Sequence, residues 1–192
     1  MPLIAEPSEV AICNLALQDI GRGLSITALD ESSQAARVCR LRYPFARDAC
    51  LRAYDWNFAA ARASLPALAQ APAFGYANAY QLPPDCLFVR DIACGDGWRW
   101  EIESGALLTD LGAPLNIRFT RAVTNPAKFD ALFADTLAAR IAADVAVSLT
   151  ESVGKAQALW QVYQSKLAEA RRRDAQESSD QTSTEDHWTA NR

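Results

Sequence analysis

Hydrophobic positions along this chain change their period twice, from helical to alternating and back. Residues 8 to 21 read as a helix. Ser8 can cap it, and Val10, Cys13, Leu17 and Ile20 recur at helical spacing before Gly21 stops it. After the turn-forming stretch RGLSITALDESS, a second helix starts near Ser32 or Ser33 and runs to about Tyr54. Cys39, Tyr43, Ala46, Cys50 and Ala53 make its inward stripe. Pro44 sits inside that pattern and is expected to kink the helix or split it. From Leu87 the chain alternates, through LFVRDIA, WRWEIE, ALLTD and LNIRFTRAV. Trp98, Trp100 and Ile102 face one way against Arg99, Glu101 and Glu103, and Leu115, Ile117 and Phe119 alternate with Asn116, Arg118 and Thr120. CGDG and ESG read as hairpin turns and DLGAP as a longer corner, which makes a small antiparallel meander. A meander of that size has to lean on another element to be stable.

Helices resume at Asn125, an N-cap residue with Pro126 at the first helical position. Phe129, Phe133, Leu137, Ile141, Val145 and Leu149 repeat every four residues, flanked by Ala134, Ala138 and Ala142, a stripe that permits close helix–helix approach. A break between Ser152 and Gly154 leads to a last helix carrying Leu159, Trp160, Tyr163 and Leu167. It closes on RRRD, whose cations suit a helix C-terminus. AQESSDQTSTEDHWTANR has almost no apolar content and reads as a flexible tail. The expected fold class is therefore α+β and mainly α: a four-helix bundle with a small antiparallel β-meander inserted between helices 2 and 3, and a flexible C-terminal tail. By segment, 1–73 and 124–173 form the two halves of the bundle, 74–123 the inserted extended stretch and meander, and 174–192 the tail.

The stretch FGYANAYQLPPDC, residues 74–86, connects bundle and meander. Tandem prolines mark it as extended or turning, yet Phe74, Tyr76 and Tyr80 carry more apolar surface than a solvent loop normally keeps. Tyr76 and Tyr80 are expected to lie across the seam between bundle and meander, either as a packed crossover or as a strap between subunits.

Composition narrows the function. Half the residues are hydrophobic and 22% are charged, which suits a packed core. A net charge of −4 leaves no electrostatic footprint for general nucleic-acid binding. Arg37, Arg40, Arg42, Arg47 and Arg52 cluster in the second helix, but Glu31, Asp48 and Asp55 dilute them, so they read as a solvated face holding subunit salt bridges rather than a phosphate track. No apolar run is long enough to cross a bilayer, and the N-terminal residues lack the pattern of a secretory leader, so neither membrane nor export is expected.

Candidate chemistry is thin. None of the five cysteines sits in a CxxC pair, and the single histidine, His187, falls in the tail, where it can anchor neither a zinc site nor a triad. GDG at residues 95–97 precedes a strand, not a helix, and no phosphate-loop, zincin or nucleophile-elbow motif occurs. Glu101 and Glu103 share a strand face that reads as solvated. The expectation is a protein without catalytic function, cofactor or metal.

The order YPFARDACLRAYDWNFAAARASL, FGYANAYQLPPDCLFVRDI, WEIESGALLTD and TNPAKFDALFADTLAARIAADVAVSLT resembles the tail tubular protein A family, the head-to-tail adaptors of short-tailed phages. The resemblance spans roughly residues 8 to 175. Its most specific parts are the W-N-F-A element at residues 56–59 and a Y-x-L-P-x-D-type element, here Y-Q-L-P-P-D, at residues 80–85. It implies a structural virion protein made in the host cytoplasm. Such a subunit, monomeric when isolated, joins a ring, typically a dodecamer, between the portal protein and the tail nozzle, and DNA passes through the lumen without sequence-specific binding. It also implies a C-terminal arm along the portal. On that basis the tail is expected to order on docking with Trp188 as its anchor, the alternative being a solubilising tail without contact; should docking run through the bundle instead, Arg171, Arg172 and Arg173 are the partner-binding candidates, beside Tyr76 and Tyr80 of the 74–86 stretch. A neck or head-completion protein of another phage tail type, or a cellular helical adaptor, are the alternative readings.

Overall fold

Ser8 does cap the first helix. Its hydroxyl accepts from the Ala11 N–H, and α1 runs Glu9–Ile20 until Gly21, at φ 77°, ends it. The structure, a computed structural model, describes residues 7–21, 23–92 and 97–177. Helix α2 (Gln34–Arg52) begins at its Ser33 cap and buries Cys39, Tyr43, Ala46 and Cys50 as the stripe predicts. It is neither split nor ended at Pro44. The carbonyl that Pro44 leaves without a helical donor belongs to Arg40, an exposed residue, so solvent is at hand for it.

The next helix starts later than its sequence suggests. Asn125 caps only a 3₁₀ turn, Pro126–Lys128. Asp130 then accepts from both the Leu132 and Phe133 N–H groups and opens α3 (Ala131–Thr150). The intervening Phe129 is extended, which turns its ring into the core. Glu151 closes α3 in the left-handed region, and Ser152 caps α4 (Val153–Gln176).

The four helices are not equivalent members of a bundle. Helix α3 is the hub: Phe133, Leu137, Ile141 and Val145 are buried with the small residues Ala138, Ala139, Ala142 and Ala146, and α1, α2 and α4 all pack against it. The alanines allow that close approach from several sides. Helices α1 and α2 touch each other far less.

The β-region corrects the expected fold class more deeply. The described residues form two three-stranded antiparallel sheets, not one meander. One has the order β1 (Ala60–Leu65), β6 (Leu115–Arg121), β3 (Cys86–Ile92). The other has the order β2 (Asn78–Gln81), β5 (Ala106–Thr109), β4 (Trp100–Glu103). Among the described residues, β4 and β5 alone form an expected hairpin, turning at Ser104 and Gly105. Strands β3 and β4, on either side of CGDG, belong to different sheets, and residues 94–96 of that expected turn lie outside the described residues. The sheets enclose a second core of Leu65, Tyr80, Val89, Ile92, Leu107, Leu115, Ile117 and Phe119, separate from the helical one. The physical reason is closure: one greasy face on a lone meander would stay wet, whereas two sheets face to face bury both inner faces. Strand β1 comes from residues ahead of the 74–86 stretch, within the segment expected to belong to the bundle, and β2 lies within that stretch itself.

Candidate interaction surfaces

The two most specific sequence elements both sit at internal joints. In W-N-F-A, Trp56 is fully buried, its indole N–H donates to the Cys50 carbonyl at 2.9 Å, and its ring meets Tyr54 and Phe133 edge-on. Phe58 packs on Phe129 and Phe133. Between those rings, the Asn57 N–H donates to the Asp174 carboxylate, and the Asn57 side-chain amide donates to the Asp174 carbonyl at 2.7 Å. Four consecutive residues thus tie the end of α2, the start of α3, the last turn of α4 and the first strand together. Burial raises the Asp174 carboxyl above its ordinary range, against the opposing pull of the Asn57 hydrogen bond.

Y-Q-L-P-P-D forms the corner between the sheets. The Cys86 N–H donates back to the Pro83 carbonyl, the Ala122 N–H to the Asp85 carbonyl, and Asp85 pairs with Arg121 at 3.4 Å. Tyr80 is fully buried and its hydroxyl donates to the Leu111 carbonyl at 2.7 Å, which takes it out of reach of a partner. Tyr76 is half-buried. Its hydroxyl lies 3.5 Å from the Glu101 carboxylate and the Arg99 guanidinium covers its ring. With Leu68, Pro72, Phe74, Ala79 and Leu108 it lines a hollow of about 490 Å³ on the outer face of the β2–β5–β4 sheet. Phe74 stands 88% exposed at its edge. The 74–86 stretch thus divides its tyrosines: Tyr80 packs the crossover between the sheets, and Tyr76 lines an open apolar surface.

The three arginines at the end of α4 part company. Arg171 turns inward, donating to the Ala53 carbonyl and lying over the Tyr54 ring. Arg172 and Arg173 stay exposed beside Glu169 and Gln176. Trp188 lies outside the described residues.

Three surfaces were not singled out from sequence. On α2, Leu41 and Phe45, one helical turn apart, are 64% and 69% exposed among Arg37, Arg40 and Arg42. On α3 and α4, Ala143, Val153, Ala156 and Trp160 line a shallow groove bordered by three glutamines. Arg140 lies across the Trp160 and Tyr163 rings while pairing with Asp144 at 3.2 Å. Finally, Arg62 and Arg118 face each other across the β1–β6 pair beside Arg90, bordering a cleft of about 420 Å³. The helical ridge carried a findable signal, an apolar i, i+4 pair on the arginine side of α2. The arginine cleft carried none, since it depends on a pairing of distant strands.

Burial pushes the Cys50 thiol up to about 12, and a hydrogen bond with Cys39 together with burial pushes Cys13 up as well. The described residues hold no cluster of potential metal ligands, and no helix among them is long and apolar enough to cross a membrane. Compared with known protein-family models and with curated proteins, the chain matches none.

Proposed function

We propose that this chain is a structural adaptor subunit that works by binding other proteins, as the ring-forming head-to-tail connector of a short-tailed phage between portal and tail nozzle. One observation carries the reading: large apolar side chains are exposed on three separate surfaces, Leu41 and Phe45, Phe74 beside Tyr76, and Val153 beside Trp160. A free-standing monomer has little use for three such patches, whereas a ring subunit needs two for its neighbours and more for the components above and below. Aromatic and arginine side chains crowd two of these patches, which is the composition of interface centres. The family resemblance of the ordered motifs supplies the choice of portal and nozzle as partners and of a dodecamer as the ring.

The test is to mix the purified chain with its cognate portal protein and to image the particles by electron microscopy. A ring of added density on one end of the portal is the expected result, lost with Phe45→Asp or Phe74→Asp variants that still fold. Unchanged portal particles at saturating adaptor would overturn the proposal.

A further inference from the structure

Strand pairing places Arg62 of β1 directly opposite Arg118 of β6, with their side chains on the outer face of that sheet. Like charges directly opposite in an antiparallel pair destabilise it. Neither guanidinium makes a hydrogen bond or an ion pair among the described residues. Asp91, which is paired with Arg118 in register on β3, forms no salt bridge with it either. A third arginine stands behind the pair. The Arg90 side chain is 3% exposed and is held by the Thr120 hydroxyl at 2.8 Å, the Asp55 carbonyl at 3.0 Å and the Trp56 carbonyl at 2.7 Å, with the Asp55 carboxylate at 3.4 Å. Asn57, Ala60 and Ala61 complete the cleft, and the small alanine side chains leave it open. Two unpaired, planar, forked donors over a fixed third cation are what an oxyanion binds.

The neighbourhood indicates which oxyanion. Asn57, a wall of the cleft, is clamped to Asp174, so the last turn of α4 ends against this site. Beyond it come Asp180, Glu185 and Asp186. Asp180 is three residues past Glu177, a reach of about 10 Å, and Asp186 is nine past, about 30 Å. A nucleic-acid phosphate track fits less well, because the three arginines are confined to one cleft rather than spread along a basic stripe, and the chain is acidic overall.

We propose that the Arg62–Arg118 cleft is a binding site for the carboxylates of an acidic polypeptide segment, and that the segment it takes is residues 178–192 of the same chain. Tethering so close to the cleft gives that segment a high effective concentration, so a few charge-assisted hydrogen bonds suffice to hold it. The proposal stands on the cleft and the end of α4, independently of any virion role.

The experiment labels arginines of the full chain with phenylglyoxal and reads each site by mass spectrometry. The comparison is between the wild type and a variant carrying Asp180→Asn, Glu185→Gln and Asp186→Asn. Arg62 and Arg118 are expected to react roughly threefold faster or more in the variant, while exposed Arg40 on α2 keeps its rate. A synthetic peptide of residues 178–192 added in excess to the variant should restore the protection. Equal rates at Arg62 and Arg118 in the two proteins would overturn the proposal. Protection that grows with protein concentration would assign the acidic segment to a second copy and overturn the intramolecular form. Protection supplied by a short DNA duplex but not by the peptide would make the cleft a phosphate site instead.

Discussion

Asp174 shows how one side chain can be both fastener and liability. Its carboxylate holds the Asn57 N–H, yet the residue is buried and its pKa is raised above the ordinary value of 3.8, chiefly by desolvation. The folded state therefore binds this proton more readily than the unfolded one, and its contribution to stability falls as pH rises from about 3.8 through the raised folded value. Asp174→Asn keeps an oxygen for the Asn57 N–H and removes the buried charge. Its melting temperature is expected to equal or exceed the wild type at pH 7, with a weaker dependence on pH below that. Asp174→Ala, which orphans the Asn57 N–H, should cost about 1–3 kcal/mol in urea unfolding. An Asn variant as damaged as the Ala variant would show that the charge itself holds the joint. None of this was legible in the sequence, where Asp174 falls at the first position of the expected tail.

At the level of elements, α3 was the most readable part of the chain and β1 the least. The four-residue repeat from Phe133 to Val145 names the buried face of α3 because the helix is wrapped by partners along its length. AARASL, by contrast, holds alanines and a serine with little β-propensity of their own. It is a strand because β6 pairs with it from Ala60↔Thr120 to Leu65↔Leu115, a contact that no local pattern announces. The same non-locality hid the Arg62–Arg118 pair. Sequence adjacency also favoured pairing β3 with β4, whereas burial of both inner faces favours placing them in separate sheets. The start of α3 offers a test. Phe133→Ala removes the ring that Trp56, Phe58 and Phe129 all touch and should cost about 3–5 kcal/mol, with the helical core as the part that loosens. A loss below 1 kcal/mol in chemical denaturation would mean the aromatic cluster repacks around the gap.

In the whole molecule, the two apolar cores are joined by Leu87 of β3, which packs against the helical core, and by polar contacts: Arg90 to the carbonyls of Asp55 and Trp56, Arg52 to the carbonyl of Leu87, and Asn57 to Asp174. Hydrogen exchange should accordingly resolve two cooperative opening units, with amides of β1, β3 and β6 exchanging together and apart from those of α3. A single common opening free energy for both sets would count against that division. The chain passes between the cores at residues 55–57 and again at residues 122–130. Greasy surfaces slide over one another at little cost, but a guanidinium fanned onto fixed carbonyls holds its angle. The junction consequently behaves less like glue than like a set square: it prescribes the orientation at which the sheets are presented, and replacing Arg90 would free that angle as well as lower the melting point, because it orphans two carbonyls.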